Sequence, residues 1–73
     1  MERADRLSGR EYQIAELVAG SLTNGEIAGR LRLSRRTVEA HLDHIRTKLG
    51  VRSRVGVAMW VVAESTLIPA LRS

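Results

Sequence analysis

Arg36, Glu39, Ala40 and Asp43 recur at the spacing of one helical turn and bring a guanidinium, two carboxylates and a methyl group to one face. Base edges in the DNA major groove answer to these groups. Arg pairs with guanine O6 and N7, a carboxylate accepts from cytosine N4, and a methyl packs on thymine. A cationic frame surrounds them. Residues 30–54 hold eight Lys/Arg and two Asp/Glu, a local charge of +6 in a chain of net +4. A basic segment coinciding with one structural motif is the footprint of a nucleic-acid binder, although a solvated helical surface would carry similar charge.

Phosphates need cations and free amides. Thr23 and Asn24 open a helix whose first N–H groups form a seat for an anion, and Arg35, Lys48, Arg52 and Arg54 flank the reading face as backbone contacts. Glu39 and Asp43 repel phosphate. In the free chain Glu39 would pair with Arg35 or Arg36, and Asp43 with Arg46 or the charge on the Lys48 side, exposed pairs of roughly 0–1 kcal/mol that rearrange on binding. His41 and His44 stand three apart, but without cysteine or a further ligand at matching spacing they make no metal site. His41 should pack beside Val38 and Ile45, leaving His44 to solvent. No nucleophile and base, phosphate loop or carboxylate dyad is present, so the chain reads as no enzyme, with no catalytic residue, cofactor or small-molecule ligand.

The elements that must position these groups are helical. Phe is absent, the aromatics are Tyr12 and Trp60, and apolar residues recur at helical rather than alternating spacing. Ser8 with Glu11 and Thr23 with Glu26 form capping boxes, and Ser34 and Ser53 cap two more helices. Helices are thus expected at about 9–19, 24–32, 35–49 and 54–65, in a single all-α domain of residues 1–73 with an ordered core of about 7–68. Ile14, Leu17 and Val18 give the first helix its apolar stripe, ended by Gly20 and Ser21. Ile27, Ala28 and Leu31 face inward from the second. Val38, Leu42, Ile45 and Leu49 make a narrow seam on the third, which Gly50 stops.

The fourth helix is apolar nearly all round. Val57, Ala58, Val61 and Val62 could close the core, leaving Val55, Met59 and Trp60 as a partner surface. Thr66 to Ser73 reads as a turn and tail, with Leu67 and Ile68 folding back. A domain of this size holds about 3–5 kcal/mol of stability. The lack of cysteine fits a reducing cytosol, and no apolar run suits a signal peptide or a membrane span.

From Leu7 to Ile68 the chain resembles the LuxR-type DNA-binding domain, also found at the C-terminus of NarL-like response regulators. Leu7, Arg10 and Glu11 resemble its opening motif, and Thr23, Asn24, Glu26, Ile27 and Ala28 its second helix. Leu33-Ser34, Thr37-Val38, His41, Ile45, Lys48-Leu49, Val51 and Ser53-Arg54 resemble its recognition helix and exit. The resemblance implies a four-helix helix-turn-helix domain that regulates bacterial transcription, with helix 35–49 in the major groove of double-stranded DNA. Thr37 joins the phosphate-contacting set. It further implies a homodimer through the fourth helix (Val55, Met59, Trp60, Val62), RNA polymerase as a further partner, and a cytoplasmic, nucleoid-associated location. Gly9 replaces a usual proline, Gly20 comes one position early, and Glu39 and Asp43 stand where relatives often carry Lys or Asn, so no target sequence carries over. The alternative is a protein-interaction or dimerisation module that keeps the fold without strong DNA binding.

Overall fold

Each helix begins where a Ser or Thr side chain takes up an amide left over by the first turn. In the computed structural model, which describes the backbone of residues 7–72 and the side chains of residues 7–64, the order is α1 (Gly9–Ala19), α2 (Asn24–Leu31), α3 (Arg35–Leu49) and α4 (Arg54–Arg72). Ser8 Oγ accepts the Glu11 N–H at 3.1 Å, and a Glu11 carboxylate oxygen accepts the Ser8 N–H at 3.0 Å. Thr23 and Glu26 repeat the exchange at 3.1 and 2.8 Å. Ser34 and Ser53 accept from the Thr37 and Gly56 amides at 3.0 and 3.2 Å. Each cap contributes about 1 kcal/mol and fixes a helix start.

The ends are less regular. Gly50 stops α3 in the left-handed conformation, φ 71°, as its type favours. At the end of α1 the left-handed residue is Ser21 (φ 74°), whereas Gly20 sits at φ −80°, where any residue fits. The α2 to α3 turn likewise turns on a non-glycine, Arg32 at φ 60°, with the Leu33 amide donating to the Ala28 carbonyl at 2.9 Å.

Ile14, Ile27, Val38, Ile45 and Val57 are fully enclosed, with Leu7, Ala15, Val18, Ala28, Leu42 and Val61 closing the core around them. The contributors on α3 are spaced 4 and 3 apart, so that helix lies on the core along one seam and presents the opposite side outward. α4 packs along α1 and against α3, and α2 lies against α3. At the root of α4 the backbone approach leaves no room for a side chain. A Cβ on Gly56 would stand 2.7 Å from Val51 Cβ.

Two expectations about α4 are corrected. It continues to Arg72 rather than stopping near 65; residues 66–72 contain no glycine to stop it, and the helix runs through Pro69 despite the hydrogen bond that residue cannot make. The side chains of Leu67 and Ile68 lie outside the described residues. Val62 does not close the core but stands 56% exposed, and the inward positions are Val57, Trp60 and Val61.

Candidate nucleic-acid interface

The α3 seam determines what α3 shows to solvent. With Val38, Leu42 and Ile45 buried, Arg36, Glu39, Ala40 and Asp43 are all exposed on the far side, and His44 and Thr47 extend the same surface. Asp43 is paired with Arg46 one turn on. Arg36 and Glu39 have no ion-pair partner among the described residues. His41 is half-buried on the flank, in keeping with a packing role, and His44 is exposed. Thr37 is turned to the Ser34 hydroxyl at 2.8 Å.

Beside the first turn of α3 lies an open concavity of about 560 Å³, lined by Ser21 to Gly25, Arg35, Glu39 and Arg54. Its floor is the start of α2. The Glu26 amide is taken by Thr23 Oγ1 and the Ile27 amide by the Thr23 carbonyl, so the Asn24 and Gly25 amides remain for an incoming acceptor. Arg35 reaches in from α3, its guanidinium 3.2 Å from where a Gly25 Cβ would stand. Arg54 reaches in from the root of α4, donating to Asn24 Oδ1 at 2.7 Å and to the Leu22 carbonyl. Two of its five N–H donors are so engaged. Three helices thus bring amides and two guanidinium groups to one opening, a combination suited to a phosphate.

Lys48, expected to contact the DNA backbone, also makes a contact within the domain. Its ammonium donates to the Glu11 carboxylate at 2.7 Å, tying the end of α3 to the start of α1, with the Glu11 side chain only 7% exposed. Burial pushes the Glu11 carboxyl up. The Lys48 hydrogen bond, the Ser8 amide and the positive charges of Lys48 and His41 outweigh burial and hold it below its ordinary value. A phosphate reaching Lys48 would have to compete with this carboxylate. Arg52 is exposed in the α3 to α4 connection, without an ion pair among the described residues.

This arrangement has relatives. The family described as bacterial regulatory proteins, luxR family, matches residues 5–61. The chain belongs to the luxR family. Its relatives include oxygen regulatory protein NreC of Staphylococcus aureus, from strains JH9, JH1 and USA300, each 43% identical over 61 residues. That stretch is 84% of this chain and 28% of each relative, so the chain matches a little over a quarter of their length. The luxR-family chain is an all-α DNA-binding domain of a transcription regulator.

On α4 of this luxR-family domain, Val55, Met59 and Val62 are 68%, 65% and 56% exposed and share one stripe. Trp60, expected to join them, is half-buried and packs within the domain as well. Its ring meets Tyr12 of α1 edge to face, with centroids 6.0 Å apart and planes at 75°. Helical geometry explains the split, because 57, 60 and 61 share the inward face while 55, 59 and 62 share the outward one. Sequence reasoning did not include Gly25 and Leu22 in the site. Gly25 carried a signal, being a bare position two residues after the Thr23 cap. The Leu22 carbonyl, which any residue would supply, carried none. Among the described residues no helix is long and apolar enough to cross a membrane.

Proposed function

We propose that this domain binds DNA sequence-specifically by laying α3 in the major groove, as the effector domain of a response regulator. Arg36, Glu39, Ala40 and Asp43 face the bases, while Thr23, Asn24, Arg35, Thr37, Arg52 and Arg54 grip the backbone. The observation that carries this reading is the concavity at the start of α2, where free amides, Arg35 and Arg54 lie beside the first turn of α3. A phosphate held there fixes the height and angle of α3, and base contacts then discriminate. Asp43 reads a base only after giving up Arg46, a small cost for an exposed pair.

The exposed stripe of Val55, Met59 and Val62 supports pairing of two chains through α4, which sets two α3 helices about one helical turn of DNA apart, roughly 10 base pairs. The setting is the bacterial nucleoid, with RNA polymerase as a further partner. The same stripe, with two carboxylates on α3, is what favours the alternative of a protein-interaction module.

Selection from a random DNA pool, followed by binding at 50 and 200 mM salt, tests the reading. Three cations neutralising three phosphates give a log–log salt slope of about −3, a loss of roughly 40-fold per chain across that range. Arg36→Ala should relax base preference, and Arg35→Ala should weaken all sequences alike. A pool with no enriched sequence, or equal effects of the two substitutions, sinks the assignment.

A further inference from the structure

Glu39 does not sit squarely among the reading residues. At about 100° per residue it lies about 40° round α3 from Arg35 and about 60° from Arg36, at the border between the reading face and the concavity, whose wall it shares with Arg35, Arg54 and the start of α2. Arg54 gives two of its donors to Asn24 and Leu22 and makes no ion pair with Glu39, and Asp43 is paired with Arg46. The Glu39 carboxylate, with no ion pair among the described residues, therefore places a negative charge beside a seat otherwise built for an anion.

Resting on the DNA reading above, we infer that Glu39 is a selectivity residue. Its carboxylate opposes phosphate docking on every sequence, and the opposition is offset only where a base presents an amino group to it. Cytosine N4 is the donor a carboxylate accepts from in the major groove. Where guanine or thymine stands there, the base edge carries no donor, and the carboxylate faces acceptors and phosphate only. Non-specific DNA binding is mainly phosphate attraction, so a fixed anion at the seat lowers non-specific affinity more than specific affinity. The residue thereby raises the ratio between the two, the quantity that matters among many competing sites.

Glu39→Gln tests this by removing the charge at nearly constant shape on an exposed position, with a thermal melt to verify folding. Affinities of wild type and variant are measured at low salt for a duplex of random sequence and for the duplex selected by the wild type. The variant should bind the random duplex about three- to fivefold more tightly, the scale of one exposed charge interaction, and the selected duplex with less gain, so that the ratio falls. The difference should fade as salt screens the charge. If wild type binds DNA and the variant binds the random duplex no more tightly, the selectivity role is refuted while the DNA reading stands. If the variant gains equally on both duplexes, selectivity is also refuted. If wild type binds no duplex at low salt, both readings fall.

Discussion

Replacing Lys48 by Met removes the cation that holds a buried carboxylate and leaves a side chain of similar length. Glu11 is 7% exposed, and its partner ammonium arrives from 37 residues away at 2.7 Å. A hydrogen bond to a charged group contributes about 1.5–3 kcal/mol. Because Lys48 is 41% exposed and partly screened, the lower part of that range applies, about 1–2 kcal/mol. In a domain of this size that is a fall in melting temperature of roughly 5–15 °C.

The pH dependence separates this cause from lost packing. In the wild type the folded-state pKa of Glu11 is lowered, so its stabilisation is complete above the unfolded value, about 4.3, and is lost as pH falls through the folded value. Without Lys48 the leading cause of that lowering is gone, so the variant loses less stability than the wild type as pH falls. The gap between the two proteins is therefore largest near pH 7 and narrows toward pH 4. Urea denaturation followed by circular dichroism at pH 7, 5.5 and 4 measures it, and Glu11→Gln with Lys48→Met should recover part of the loss at pH 7. A gap constant with pH, or no loss at pH 7, would refute the reasoning.

Other substitutions test the backbone and the stripe. Gly29→Ala, at an exposed position with nothing within 4 Å of the new Cβ, should stabilise by about 0.5–1 kcal/mol in thermal melts. Gly56→Ala should destabilise by about 1–2 kcal/mol despite better helix propensity, because the new Cβ meets Val51 Cβ at 2.7 Å. Ser21→Gly, at φ 74°, should raise stability by about 1 kcal/mol, with unchanged melting as the contrary result. Met59→Lys, on the exposed stripe, should shift sedimentation toward monomer with the melting temperature within a few degrees of wild type.

What could be read from the sequence was local. The caps at Ser8, Thr23, Ser34 and Ser53 depend on a side chain and an amide three residues on, and the α3 seam on spacing within one helix, so both are written within a few positions. Lys48 with Glu11, Arg54 with Leu22 and Trp60 with Tyr12 join residues more than 30 apart, and only the packing of helices decides such partners. Thus Lys48 reads as a free cation on a basic helix, and Trp60 as one more apolar group on an apolar helix. The left-handed Ser21 is hidden for another reason. Gly20 and Ser21 both mark the end of α1 in the sequence, but residue type alone does not say that the serine takes the left-handed turn. On α3, exposure of the reading face followed from the seam, while the position of Glu39 against the concavity required the start of α2 beside it.

Arg54 leaves the domain little freedom to adjust. One guanidinium joins the root of α4 to the first turn of α2, and Gly56 wedges that root against Val51. The two first turns shift together or the bonds break. In a pair of chains joined through α4, the spacing between the two anchoring points on DNA is then a property of how one α4 crosses the other, with no hinge in between to absorb a mismatch. Operators whose half-sites are one base pair too close or too far should be rejected by rigidity alone, without any change in the bases that α3 reads.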